Sequence, residues 1–427
     1  MKSKRFSIWK ALGPGLITGA ADDDPSGIAT YSQAGAQFGF SLTWTMLLTL
    51  PFMTAIQIIS ATIGWRTNRG LVCNIAEQLP KPAVYLLVSL LVIANTVNIA
   101  ADLAAMGDAL SLLIKGSVVL YATAFGLGCL LAEIFIPYHR YAGYLKFLTM
   151  VLFAYVAAAF SIRVPWLQVG ISTLVPRFSL QSDSLLMIVA VFGTTISPYL
   201  FFWQASQEAE ESRLSHRRKL HHGGLPTEHS FRHIAFDTWI GMIVSNLTAF
   251  FIIVTTAATL NANGITQINT ASEAANALRP LAGDFTFTLF AAGIIGTGLL
   301  AVPVLAGAAA YAVAEAFGIE GSLELPATKA LGFYGVVASA TLAGAALTAA
   351  NLNPIAILFW AAVINGVVAV PMMFAMMLTV ASKRGLRMFS LPRWLKILGW
   401  LATILMTLAV AMFAWSAIAT GSGIPGV

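Results

Sequence analysis

Three consecutive aspartates, Asp22, Asp23 and Asp24, stand directly before Pro25, Ser26 and Gly27 in a stretch that is otherwise apolar from Leu12 onward. A carboxylate near mid-bilayer costs at least ~2.5 kcal/mol on insertion scales, and acids kept at that depth mark ion or substrate paths. Proline adds to the chemistry. It lacks an amide donor and its ring crowds the carbonyl four residues back, so Pro25 frees the carbonyl of Ala21. Gly27 loosens the same turn. Asp24 precedes the proline and is biased out of helical geometry, which makes it the aspartate expected at the site. Asp22 and Asp23 are its neighbours in sequence, and three adjacent side chains cannot all face one cavity. The plain structural alternative is an acid satisfied by neighbouring helix ends.

The pattern occurs twice. Gly193-Thr194-Thr195-Ile196-Ser197-Pro198 interrupts a second apolar stretch, and Pro198 frees the carbonyl of Thr194. A carboxylate with two freed carbonyls makes an oxygen-rich, negatively charged cage suited to a hard divalent cation. An anionic substrate would need positive charge there, and no Lys or Arg falls inside the two broken stretches. Unpaired backbone is tolerated at membrane depth only where it faces a cavity or a ligand.

The elements that must position these groups follow from hydropathy. Charged residues make up 10% of the 427-residue chain and hydrophobic ones 58%, whereas a soluble domain carries about 25% charged residues. Apolar stretches of spanning length begin near residues 12, 41, 82, 117, 145, 185, 236, 285, 329, 354 and 395. The first carries three acids and lacks a small-residue cleavage site, so it is expected to be a mature helix and not a signal peptide. With the basic start MKSKRFSIWK placed in the cytoplasm, twenty of the 24 Lys and Arg fall on that side, and only Lys115, Arg163, Arg177 and Arg279 on the other. That asymmetry supports eleven spans, N-terminus inside and C-terminus outside. The two breaks fall in spans one and six, five apart. Interrupted helices at matching places of two five-helix halves point to an inverted-repeat transporter with its site at the midplane.

The remaining polar residues carry weaker signals. Cys73 and Cys129 cannot build a disulfide framework or a four-ligand zinc site, and a packing role is expected. The connection from Gln207 to His233, the longest on the inside, holds His216, His221 and His222, read as a solvated or lipid-facing basic loop with metal gathering as the alternative. His139 lies in another inside loop. In the third span Asn98 and Asp102 share a helix face; Asn95 and Asp108 belong to the same span. Asn353-Pro354 and Asn365-Gly366 are irregularities of the tenth, and for all of these interhelical hydrogen bonding is the plain reading. Gln33 and Gln37 could serve an outer vestibule or cap a turn.

The segments GPGLITGA, DPSGIAT, QAGAQFG, NIAADLAAMG and GTTISP, in this order, resemble the Nramp metal-transporter family, loosely over the whole chain. The resemblance implies an all-α membrane protein with a LeuT-like fold: two inverted five-helix repeats, about 12–163 and 185–382, with helices 1 and 6 broken at mid-membrane. An extra helix at about 395–418 completes a single transmembrane domain over 1–427. It also implies divalent metal moved inward by alternating access, with Asp24, Ala21, Gly27, Thr194 and Ser197 around the metal. The departures are informative. Members that carry Mn2+ and Fe2+ read Asp-Pro-Gly-Asn where Gly27 stands here, and Ala-x-x-Met-Pro-His where Thr194, Ser197 and Tyr199 stand. Losing the sulfur ligand leaves oxygen donors and space, which suits partly hydrated Mg2+ and resembles the Nramp-related magnesium transporters, which also pass Mn2+.

The family's proton route uses a histidine and a glutamate at positions that read Tyr199 and Ala105 here, while Asp102 matches a retained aspartate. The expectation is therefore uncoupled entry of Mg2+ and Mn2+, with Asp102, Tyr199, Asn98 and Asn353 as accessory polar or proton-handling residues. A proton-coupled Mn2+/Fe2+ importer and a Na+-coupled small-solute carrier on the same fold are the alternatives, and a channel is not excluded by composition. Asp24 would repel a substrate carboxylate, which weighs against an amino-acid carrier. No HExxH occurs and no histidine lies within a span to act as a base, so an intramembrane enzyme is not expected. The remaining expectations are no cofactor beyond the transported metal, no nucleic-acid partner, contact with membrane lipid, a monomer, and a bacterial cytoplasmic membrane location.

Overall fold

The computed structural model describes residues 14–136, 150–177, 179–222, 231–350, 353–389 and 391–420. The basic start, His139 and the span start near 145 lie outside them. Among the described residues all regular secondary structure is helical. The first span is split into α1 (Pro14–Asp22) and α2 (Pro25–Phe38). α3 (Trp44–Thr67), α4 (Lys81–Ser111) and α5 (Val118–Phe135) follow. Next come α6 (Phe153–Ser161) and α7 (Trp166–Leu174), a pair that bends by 118°. The second break separates α8 (Ser182–Thr195) from α9 (Pro198–His222). α10 (Phe231–Thr259), α11 (Thr286–Phe317), α12 (Leu331–Thr348), α13 (Pro354–Ala381) and α14 (Arg393–Thr420) complete the bundle.

Among the described residues nine helices are long and apolar enough to cross a membrane, and ten if the bent α6–α7 pair is one span. The remaining expected span is α1–α2, whose halves of 9 and 14 residues are each too short alone. The eleven expected stretches thus recur as helices, two of them broken and one bent.

One connection differs from expectation. The segment after Gln207 is not a loop at first, because α9 continues as helix to His222. The reason is composition: QEAEESRLSHRRK is rich in Glu, Ala, Arg, Lys and Leu, which lose little on entering a helix. His216, His221 and His222 lie on this extension, and their side chains are outside the described residues.

The breaks sit in the centre of the bundle. α10 packs along both halves of the first broken helix, α11 and α12 pack on α4, and α8 packs on α13. Glycines allow two of these contacts. A Cβ on Gly193 would stand 2.7 Å from the Gly366 Cα, so the Asn365-Gly366 irregularity serves close packing of α8 on α13. A Cβ on Gly15 would stand 2.7 Å from the Thr238 nitrogen, which keeps α1 against α10.

Candidate functional site

α2 starts where it does because Asp24 caps it. The Asp24 backbone is extended (φ −69°, ψ 168°), Pro25 takes the first helical position, and the carboxylate Oδ1 accepts the Gly27 amide at 2.7 Å. An aspartate cap followed by proline is a strong start signal, since the cap satisfies an orphan amide and the proline has none to satisfy. The residue singled out for its charge is therefore also the residue that restarts the helix. Its other oxygen, Oδ2, accepts the Asn98 side-chain amide from α4 at 3.0 Å and lies 3.1 Å from the Tyr199 hydroxyl of α9. Asp24 is 2% exposed, so three helices converge on a buried carboxylate.

The carbonyls freed by the prolines are both present, and each faces a hydroxyl. Ala21 O accepts from the Tyr199 hydroxyl at 2.9 Å. Thr194 O accepts from Ser197 Oγ at 2.9 Å, and the same Oγ is 2.7 Å from Gly193 O. Carbonyl oxygens have two lone pairs, so each can take a further partner. Gly27 faces the second break directly: a Cβ there would come within 3.1 Å of Thr194 Oγ1 and 3.3 Å of the Asp22 carbonyl. A side chain at position 27 would project into the space between the two breaks. Ser26 Oγ donates to Leu358 O on α13 at 2.9 Å, which ties the turn to a fourth helix.

Asp24, Ala21, Tyr199 and Asn98 are thus joined by hydrogen bonds and Gly27 stands against Thr194, while the hydrogen bonds of Ser197 stay within its own break. Asp102 lies one turn beyond Asn98 on the same face of α4, fully buried, and neither carboxyl oxygen has a hydrogen-bond partner. Its carboxyl faces the Ser26 amide outside good bonding geometry. Asn353 does not belong to the group. Its side chain caps α13 through the Ile355 and Ala356 amides at 2.9 and 3.3 Å, and its Nδ2 donates to Asn269 O at 3.1 Å. Pro354 holds the preceding residue out of helical geometry wherever it occurs, and here that marks the start of a helix and not a break within one. Asn95 takes the plain reading, donating to Leu305 O at 2.8 Å.

The segment joining α10 to α11 lies across the end of α2. Gln33 Oε1 accepts the Ile268 amide at 2.9 Å while its Nε2 donates to Thr266 O at 3.2 Å and Gln37 Oε1 at 3.3 Å. Asn261 donates to Ala36 O at 2.7 Å. Gln33 is thus a fastener for this strap, a role that its position in the sequence does not reveal.

Sequence reasoning passed over Ser245. From α10 it bonds to the Asp22 carboxylate and stands 3.1 Å from Asp23 Oδ1. Asp237, two turns earlier, accepts the Gly15 amide at 2.7 Å. The signal that could have found them is the spacing Asp237, Gly241, Ser245, three small or polar residues four apart in an apolar span.

A sequence profile described as "Nramp: Natural resistance-associated macrophage protein-like" matches residues 15–416. Similar curated proteins include the "Divalent metal cation transporter MntH" of Yersinia pestis (strain Pestoides F), 27% identical over 297 residues, or 67% of this chain and 68% of the relative. The protein of the same description from Erwinia tasmaniensis is 25% identical over 304 residues, 70% of each. Among solved structures, the Eremococcus coleocola manganese transporter aligns over 99% of this chain and 90% of its own with a TM-score of 0.71 at 18% identity. Mhp1, a nucleobase-cation-symport-1 family transporter in a closed conformation, aligns over 96% and 93% with a TM-score of 0.54 at 11% identity. At these identities the structural likeness speaks for the fold, and the LeuT-like architecture expected from the sequence is the one found.

Proposed function

Since this chain belongs to the Nramp family, a family of transporters and not enzymes, we propose that it carries divalent metal cations through the membrane by alternating access, with Asp24 as the charged ligand. The observation that carries this reading is the convergence on Asp24. One buried carboxylate, held by donors from α2, α4 and α9, lies beside the freed Ala21 carbonyl, to which Tyr199 also bonds. Asp24, Ala21 and Thr194 supply oxygen donors to the cation. Ser197 orients the Thr194 carbonyl through its hydroxyl and can add its own lone pairs. Gly27 lets the two breaks approach closely, since it stands against Thr194 Oγ1 and the Asp22 carbonyl. The metal is cargo, and the protein needs no cofactor.

The cations we propose are Mg2+ and Mn2+. What supports Mg2+ is the donor set: oxygen only, with no sulfur where Ser197 stands. What supports Mn2+ is kinship, since the similar proteins are described as divalent metal cation and manganese transporters. We propose further that entry is not coupled to protons, because Tyr199 and Ala105 replace the groups of the family's proton route. A coupled Mn2+ importer is the second reading, and Asp102 favours it: a fully buried carboxyl without a partner beside the first break is placed to take up a proton. Uptake of Mg2+, Mn2+ and Ca2+ into liposomes with simultaneous recording of internal pH tests both statements. Saturable Mg2+ and Mn2+ uptake without acidification is expected. Acidification in proportion to metal uptake, abolished by Asp102→Asn, would establish the second reading instead.

A further inference from the structure

Two of the three aspartates take no part in the cation cage, and both meet the same residue. Ser245 on α10 bonds Asp22 and lies 3.1 Å from Asp23 Oδ1. Four residues earlier Gly241 touches Gly19 backbone to backbone: a Cβ on Gly19 would collide with the Gly241 carbonyl, and one on Gly241 would collide with the Gly15 carbonyl. Four residues earlier again, Asp237 accepts the Gly15 amide at 2.7 Å. Residues four apart share a helix face, so Asp237, Gly241 and Ser245 form one edge of α10. Gly15, Gly19 and the Asp22-Asp23 pair meet that edge rung by rung, in parallel register. The contact runs the length of α1.

α1 needs such an edge. Its described part is Pro14–Asp22, and the break at Asp23-Asp24 uncouples it from α2. The break also divides the cage. Ala21 belongs to α1, whereas Asp24 is the cap of α2. Any motion of α1 away from α10 therefore carries one proposed ligand off and leaves the other behind.

On the reading that a cation binds at Asp24, we propose that Ser245 is a positioning residue for transport: through Asp22 and Asp23 it fixes the turn that holds the Ala21 carbonyl beside Asp24. With Gly241 and Asp237 it forms the latch from which α1 swings to open the site toward the end of α1 at Pro14. The top rung joins latch to cage, so release of Ser245 dismantles the cage and a bound cation loses a ligand as the path opens. The dry glycine rung lets α1 return to one register, because neither backbone leaves room for a side chain between them.

The test uses the full chain in liposomes with Cys73 and Cys129 changed to serine and a reporter, Thr18→Cys, on α1, where Thr18 is fully buried. Labelling by a membrane-impermeant maleimide and initial rates of Mn2+ uptake are measured together. Ser245→Ala, which removes a hydrogen bond to a carboxylate, is expected to raise reporter labelling about tenfold or more. It should also raise the KM for Mn2+ while kcat stays within about twofold. Ser245→Thr keeps the hydroxyl and is expected to restore both values to within about twofold. Gly241→Ala wedges the middle rung and is expected to raise labelling without touching any aspartate. If Ser245→Ala does not fold, the Gly241→Ala and Ser245→Thr pair decides. Unchanged labelling in Gly241→Ala and Ser245→Ala, in monodisperse protein, overturns the latch. Equal loss of uptake in the alanine and threonine variants with kcat and KM both altered assigns Ser245 a merely structural role and also overturns it. If labelling follows the expected pattern but the wild-type chain moves no Mn2+ or Mg2+, the latch stands and the cation reading fails.

Discussion

Asp24→Asn separates the two duties of the residue on which both breaks converge. As the cap of α2 it offers Oδ1 to the Gly27 amide at 2.7 Å, and asparagine caps as well as aspartate does, so the helix start should survive with a change in stability of no more than about 0.5 kcal/mol. As the proposed cation ligand it loses its charge. Removing one partner of a buried, desolvated charge pair costs about 3–5 kcal/mol, which corresponds to roughly a hundred- to several-thousand-fold in affinity. The second oxygen sharpens the case. Oδ2 accepts from Asn98 at 3.0 Å and faces the Tyr199 hydroxyl at 3.1 Å, and the new amide nitrogen would point a donor at the donor of Asn98. Tyr199 can adapt by donating only to Ala21 O, but Asn98 must turn. The assay is uptake of Mn2+ and Mg2+ into liposomes beside the thermal midpoint of the same preparation. A midpoint lowered by no more than the cost of one unsatisfied buried donor, about 1–3 kcal/mol, with uptake reduced at least a hundredfold is expected. Uptake within about tenfold of wild type would falsify the assignment of Asp24 as the charged ligand, and a collapsed midpoint would show that the cap depends on more than an oxygen at that place.

Further perturbations test other parts of the structure. Ser197→Met brings a soft sulfur to the second break, where Ser197 now binds the Gly193 and Thr194 carbonyls; competition uptake should shift toward Mn2+ over Mg2+, and an unmoved ratio would remove sulfur from the account of selectivity. Gly70→Ala would drive a Cβ into the Glu315 carboxylate, which accepts the Cys73 amide at 3.2 Å; denaturation should show a loss of about 1–3 kcal/mol, and none is expected from Gly128→Ala, where a Cβ meets nothing. Burial, reinforced by the Glu315 carboxylate, pushes the Cys73 thiol up to about 11. The thiolate is the reactive form, so maleimide labelling of Cys73 should be slow at neutral pH and climb as pH rises toward 11; a plateau near pH 8.5 would contradict that environment. Asn353→Ala should cost about 1 kcal/mol through the lost cap of α13 yet leave the KM for Mn2+ unchanged, in keeping with its place away from the cage.

Much of this arrangement was legible because prolines and acids in apolar helices have few interpretations. Pro25 and Pro198 announce both breaks, and the residue before Pro25 leaves the helix together with Asp23. The same rule does not say what Asn353 does, since an Asn-Pro pair looks alike at a break and at a helix start; here Asn353 caps α13. Tyr199 was legible as a replaced position, but its hydroxyl reaches the Ala21 carbonyl because α9 begins at Pro198 beside the first break, which is a tertiary fact. Ser245 carried no signal of its own: one serine in a span of 29 residues is ordinary until its partners are known. The helical extension to His222 was misread as a loop because charge suggested solvent, although solvent and helix are compatible.

The cap geometry of Asp24 has a kinetic meaning. A carboxylate that floats free must be gathered and oriented when cargo arrives, and that ordering slows capture. Here the fold has already oriented it, so arrival needs little rearrangement. The same three hydrogen bonds that hold it would compete with an ion bound at the proposed site for its lone pairs and weaken the hold. For a storage protein that would be a defect. A carrier turns over only as fast as it lets go, and a ligand already engaged by its own scaffold gives up its cargo readily, with Tyr199 and Asn98 waiting to take the vacated positions.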